Sequence, residues 1–301
     1  MDLSDDFGRP PRPEAYDRDD GRRMHLTLHL ATTVPQLPFL DRFDAAARAG
    51  FTAVECGWPP VGISPAQVRR ASQAAGTGLV LVNIDPGDLA GGQRGYPSDP
   101  AARRLWREAL ERALEFAGET GCPLLNVLVG TRLADIGLAD QLALLREHLA
   151  EAVDRAAGHG ATIVIEHLNT SESPGYLIPT VADAMRVIAE TRKPGLGLLL
   201  DVYQEQRQTG DVTQVVQVSM GALRHVHFAD APGRGPPGTG KIDFSKIVDR
   251  LVECNYTGYL GLEHKPAGAN LEEDLAWLPR SLRSGPVDAV AIRRALHAAS
   301  S

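Results

Sequence analysis

Cysteine is scarce: Cys56, Cys122 and Cys254 stand far apart, with no CxxC spacing, in a chain of 301 residues. That pattern argues against a disulfide framework or a thiolate zinc site, and reads as reduced, mostly buried thiols of a cytoplasmic protein. Runs of lysine and arginine are absent as well, and the net charge is -7. A nucleic-acid groove needs clustered cations to neutralise phosphates, so no nucleic-acid partner is expected. No apolar stretch reaches the length that spans a bilayer, so no membrane partner is expected either. Residues 1–23 are charged and rich in Pro and Asp, lack the apolar centre of a signal peptide, and are read as a disordered tail. What remains is a globular composition, 43% hydrophobic and 23% charged, long enough to bury a full core.

From residue 24 onward, short apolar runs alternate with amphipathic segments. Strands are read at 25–30, 52–56, 79–83, 124–129, 162–166 and 196–201, then in the stretch carrying Leu223, Val226 and Phe228, and at 259–263. Helices are read at 39–49, 65–75, 100–120, 139–158, 180–190, 212–219, 244–254 and 271–282. Ser64 before Pro65 and Gly50 after the first helix are cap signals. Eight such units, with strands too apolar to face water on either side, predict a parallel sheet covered by helices and closed into a (β/α)8 TIM barrel. A doubly wound sheet would need a glycine-rich phosphate turn after the first strand, and Leu30-Ala31-Thr32-Thr33-Val34 has none. One barrel domain is assigned to 24–285, and 286–301 to a helical extension packed outside it.

The chemistry collects at the strand ends. Glu166, Asp201, His227 and Glu263 close four successive strands, each after apolar residues. Consecutive barrel strands are neighbours, so the four side chains converge on one mouth. A single strand-end carboxylate is more often a helix cap or a rim charge. Four in succession are hard to explain that way. Three carboxylates and an imidazole form a hard, oxygen-rich metal site suited to Mn²⁺ or Mg²⁺, with Co²⁺ admitted by the imidazole. Beyond the seventh strand the chain breaks at Asp230 into the loop Pro232-Gly233-Arg234-Gly235-Pro236-Pro237-Gly238-Thr239-Gly240.

That loop carries a resemblance, together with Gly87-Asp88 through Arg94-Gly95, Asn169 with Pro174-Gly175-Tyr176, and Glu263 with Lys265-Pro266. From about residue 25 to 278 the chain resembles the hydroxypyruvate isomerase family, a branch of the xylose isomerase-like barrels related to the ketose 3-epimerases. The resemblance implies Glu166, Asp201, His227 and Glu263 as metal ligands. It implies Glu166 and Glu263 as the acid/base pair moving a proton between adjacent carbons through an enediolate. Arg234 looks like the family's loop arginine, and Glu172 stands where related epimerases present a carboxylate to substrate. Gln204, His29 and Glu55 complete the candidate substrate contacts, and Glu55, at the end of the second strand, reads equally as the orienter of a neighbouring group and as half of a structural ion pair. Asp88 and Arg94 are read as ordering their own loop, and Trp58 as loop packing or a pocket wall. A homodimer is the family default.

The chain departs from the family where Tyr203 is followed by Gln204 and not histidine. His227 stands where hydroxypyruvate isomerases tend to carry Gln, His29 where Asn is common, and Lys241 where an acid is usual. These changes leave the metal chemistry intact and bear on which substrate is bound. The leading expectation is a metal-dependent isomerase of a small hydroxy-carbonyl compound, either hydroxypyruvate-like or a short sugar or sugar acid. A sugar epimerase, a keto-polyol dehydratase and, further off, a metabolite-binding barrel without turnover are its alternatives.

Overall fold

The computed structural model describes residues 23–299. Its barrel strands are β1 (Arg23–His29), β2 (Ala53–Cys56), β3 (Gly78–Asn83), β4 (Leu124–Val127), β5 (Thr162–Glu166), β6 (Leu196–Asp201), β7 (Leu223–Phe228) and β8 (Tyr259–Leu262). All pair in parallel in sequence order, and β1 pairs with both β2 and β8, which closes the (β/α)8 barrel. Helices α1 (Leu30–Thr33) and α2 (Asp41–Arg48) follow β1, then α3 (Pro65–Ala75), α4 (Arg103–Thr120), α5 (Leu138–Ala157) and α6 (Val181–Thr191) follow β2 to β5. After β6 come α7 (Val202–Thr209) and α8 (Thr213–Ser219), after β7 α9 (Phe244–Glu253), and after β8 α10 (Leu271–Asp274). The tail read at 1–23 lies outside the described residues except for Arg23, which opens β1.

Local chemistry sets these boundaries. Ser64 accepts from the Gln67 backbone while the Gln67 side chain accepts from the Ser64 N–H, a reciprocal cap that starts α3. Gly76 ends it with φ of 68°, a left-handed turn that costs glycine nothing. In α9, Phe244, Ile247, Val248 and Leu251 are buried at the three- and four-residue spacing of one helical face. All six residues of β6 are buried, as a strand covered on both sides requires. Each fully buried Leu in such a core contributes about 1.5–3 kcal/mol.

The sequence reading has no helix at α1 or α7, and two further segments differ from it in kind. The helix read at 271–282 stops after Asp274 and resumes only as a 3-10 turn at Arg280–Leu282. Pro279 has no N–H to give and disfavours helix at Leu278. The buried Arg283 guanidinium takes the freed carbonyls, donating to Leu275 O and Leu278 O at 3.0 Å and to Ala49 O at 2.9 Å. The extension read as all helix begins with β9 (Pro286–Asp288), antiparallel to β1 with Met24 opposite Val287, before α11 (Ala289–Ala299). Among the described residues the three cysteines are free, and no helix is long and apolar enough to cross a membrane.

Candidate metal centre and active site

Glu166 is the last residue of β5, Asp201 the last of β6, His227 the last but one of β7, and Glu263 the first beyond β8. All four are buried, and one ligand atom from each lies within 4.8 Å of the others. The sequence-predicted metal set is therefore assembled at one end of the barrel. Asn126 on β4 donates to Glu166 Oε2 at 2.7 Å and to Asn83 Oδ1 at 2.9 Å. Asp201 Oδ1 caps α7, accepting from the Tyr203 and Gln204 N–H groups at 2.8 and 3.2 Å, which leaves Oδ2 facing the cluster. The His227 ring is held from behind, its Nε2 2.7 Å from Glu55 Oε2, while Nδ1 lies 3.1 Å from Glu263 Oε2 without an aligned hydrogen bond.

Three carboxylates crowded out of water should resist ionising together. Burial and the neighbouring Glu263 push Glu166 up to about 8. Burial raises Asp201 to about 6, with Arg234 opposing and Glu263 adding. At Glu263 burial pulls upward, but Arg234 and His227 outweigh it and hold the carboxyl well below its ordinary value. Burial would lower His227, yet Glu263 and Glu55 raise it well above the usual imidazole. Three buried carboxylates that resist ionising together, with an inward imidazole nitrogen lacking a hydrogen-bond partner, form a donor set that fits a hard divalent cation. All four side chains could hold it.

Arg234 reaches into this cluster from the loop after β7. Its Nη2 donates to Asp201 Oδ2 at 3.1 Å and to the Glu263 carboxylate, and the guanidinium carbon lies 5.1 Å from the centre of the Tyr203 ring. Asp230 holds the loop in place. Its Oδ1 accepts from Ala231 and Ile242 at 2.9 and 3.0 Å, and its Oδ2 from Gly238 and Gly240 at 2.9 and 2.8 Å.

The remaining candidates divide. His29 is buried with its Nε2 3.7 Å from Glu263 Oε1 and free of hydrogen bonds, so it faces the cluster. Glu172 is exposed and accepts from Tyr203 Oη at 2.7 Å; desolvation pushes its carboxyl upward, but the hydrogen bonds from Tyr203 and Asn169 together with Arg234 and Lys265 hold it below the ordinary value. Gln204 is engaged otherwise than expected: its Oε1 accepts from the Asn169 backbone at 2.9 Å and from the Asn169 side chain. Glu55 is not a substrate contact. It is fully buried beneath the cluster, with its oxygens taken by His227 and, at 3.1 Å, His225. The strand-end position alone does not tell a residue in the mouth from one below it. Asp88 accepts from Gly91 and orders its own loop as read, while Arg94 donates to Leu89 O and Gln93 O within the loop and from Nε to Ser173 Oγ at 3.0 Å in the loop after β5. Trp58 packs on Phe116 and under Arg112. Asn126 and Tyr203 went unassigned in the sequence, although a lone Asn inside the apolar run of β4 is a signal of a buried polar duty.

Residues 43–281 match the family model described as xylose isomerase-like TIM barrel. A Streptomyces coelicolor protein provisionally named hydroxypyruvate isomerase is 35% identical over 272 residues, spanning 87% of this chain and 98% of that one. The 2-oxo-tetronate isomerase of Cupriavidus necator is 34% identical over 240 residues, covering 80% of this chain and 92% of its own. A Brucella melitensis structure described as AP endonuclease, family 2, superposes with a TM-score of 0.80 at 30% identity, over 84% of this chain and 97% of that one.

Proposed function

The chain belongs to the xylose isomerase-like TIM barrel family, and on that premise we propose that it is a divalent-metal-dependent isomerase of a small hydroxy-carbonyl compound. The observation that carries the reading is the buried Glu166, Asp201, His227 and Glu263 cluster. Relatives named for hydroxypyruvate and 2-oxo-tetronate support a short sugar acid as substrate class. When bound, a Mn²⁺ or Mg²⁺ ion supplies positive charge to the oxyanion that develops as the carbonyl migrates.

The residues do the rest. Glu166 and Glu263 stand close enough to address two adjacent carbons, one taking the proton and one returning it through an enediolate. Asn126 fixes the Glu166 carboxylate by its 2.7 Å hydrogen bond. Arg234, the sole guanidinium bonded to two of the cluster carboxylates among the described residues, supplies the charge and planar donors that would pair with a substrate carboxylate. His29 adds a neutral ring nitrogen beside Glu263, since burial lowers its basicity.

The test is solvent-deuterium incorporation, followed by NMR, into hydroxypyruvate, tartronate semialdehyde, tetruloses and ketohexoses. It is run after chelation and again with added Mn²⁺. Incorporation beside the carbonyl, dependent on the ion and lost in Glu263→Gln, is the expected result. Product analysis then separates aldose–ketose isomerisation from inversion at one carbon or loss of water. Exchange and turnover that survive complete chelation would overturn the metal reading.

A further inference from the structure

Below the cluster the barrel interior holds a second polar layer that the proton chemistry does not use. Glu55 on β2, His225 and His227 on β7, and Gly261 on β8 meet there, all without solvent access for the three side chains. His225 and His227 are two residues apart on one strand, so both point inward. Glu55 receives them one on each side, His225 Nε2 at 3.1 Å from Oε1 and His227 Nε2 at 2.7 Å from Oε2. The space for this arrangement comes from Gly261. A Cβ there would stand 2.0 Å from Glu55 Oε1, 2.8 Å from His225 Nε2 and 2.9 Å from His227 Cδ2.

We propose that Glu55 is the positioning residue of the metal centre, locking the His227 ring in the one tautomer and orientation that turns Nδ1 to the ion. The inference rests on the metal reading above. An ionised carboxylate only accepts hydrogen bonds, so the proton facing it must sit on Nε2. In the ring that binds the ion, Nδ1 gives up its proton and presents the lone pair; it faces the carboxylate cluster, 3.1 Å from Glu263 Oε2. A carboxylate behind a ligating imidazole also makes the ring a stronger donor. His225 occupies the second oxygen and stops Glu55 from turning away. Glu55, His225 and His227 lie within ligating reach of one another. Their spacing of 2.7 and 3.1 Å is that of hydrogen bonds, and the chain at Gly261 packs directly against them.

The experiment measures Mn²⁺ binding to the chelated full chain by calorimetry and EPR, in wild type, Glu55→Gln, Glu55→Leu and Gly261→Ala. One ion per chain is expected in wild type. A Gln carbonyl can still accept from His227 without the charge, so Glu55→Gln should weaken binding roughly tenfold and Glu55→Leu roughly a hundredfold. Gly261→Ala, whose Cβ would crowd Glu55 most closely and His225 and His227 beside it, should fall in the same range. Ring-¹⁵N histidine NMR of the Mg²⁺-loaded and ion-free proteins should show a strongly hydrogen-bonded Nε2–H on His227 that Glu55→Leu loses. Equal affinity in wild type and Glu55→Leu, no graded difference between the Gln and Leu variants, or a second ion lost with Glu55 would each overturn the proposal. If wild type binds no ion, the metal reading falls. The Nε2–H signal then decides the role of Glu55 by itself, and its persistence in Glu55→Leu would overturn that role.

Discussion

Replacing Asp230 by Asn changes one oxygen to an NH₂ and leaves the shape intact. In the structure each oxygen of this buried side chain accepts two backbone N–H groups, at 2.8–3.0 Å, from Ala231, Gly238, Gly240 and Ile242. The amide can serve only one of the two pairs; the other pair would meet a donor in place of an acceptor. A hydrogen bond to a charged group contributes about 1.5–3 kcal/mol, so losing two costs about 3 kcal/mol or more. The loop from Ala231 to Ile242 can open locally at that cost, which translates into roughly a hundredfold loss of amide protection. Native-state hydrogen exchange read residue by residue across the loop is the assay, with urea melts alongside. Protection should fall at one pair of amides in Asp230→Asn and at all four in Asp230→Ala. Because Arg234 rides on the same loop, KM for an anionic substrate should rise in both variants. Unchanged loop protection in Asp230→Asn would refute the idea that this carboxylate organises the mouth.

Other outcomes follow from single contacts. Glu166→Gln and Glu263→Gln should each cut proton exchange by roughly 10²- to 10⁴-fold, measured by deuterium incorporation, with circular dichroism unchanged. Tyr203→Phe keeps the ring beside Arg234 but frees Glu172, so substrate KM should change more than kcat and thermal stability little. Arg283→Ala strips donors from the carbonyls of Ala49, Leu275 and Leu278 and should lower stability by about 3 kcal/mol in urea titrations, far from the mouth. His264 is buried and desolvation lowers its pKa from 6.5 to about 4, with Asp274 opposing. The unfolded chain therefore binds the proton first: the penalty is absent above 6.5, grows as pH falls, and is complete below about 4, worth roughly 3 kcal/mol. His264→Gln should flatten that acid limb of the stability profile.

The barrel was legible because its evidence is periodic. Eight apolar strands, each followed by a helix-forming segment, leave few topologies, and the four ligand candidates follow from strand ends that the closed sheet makes neighbours. What the pattern could not rank was depth. Glu55 and Glu166 both sit at or near a strand end beside apolar residues, yet one lies beneath the cluster and the other within it. A strand's period of two assigns a side chain to the inside of the barrel without saying which layer it fills. Two local signals did carry that depth. His225 and His227 place two imidazoles on one inward face, and buried rings in such a layer call for an acceptor. Gly261 interrupts an otherwise apolar β8, and a glycine inside a strand marks the close approach of something large. Together they require a compact acceptor at the height of Gly261, and Glu55 is the carboxylate that reaches it. The helix break before Pro279 was equally local. The reach of Arg283, four residues beyond the proline, across to the Ala49 carbonyl was not, because no propensity encodes which distant oxygen a guanidinium will find.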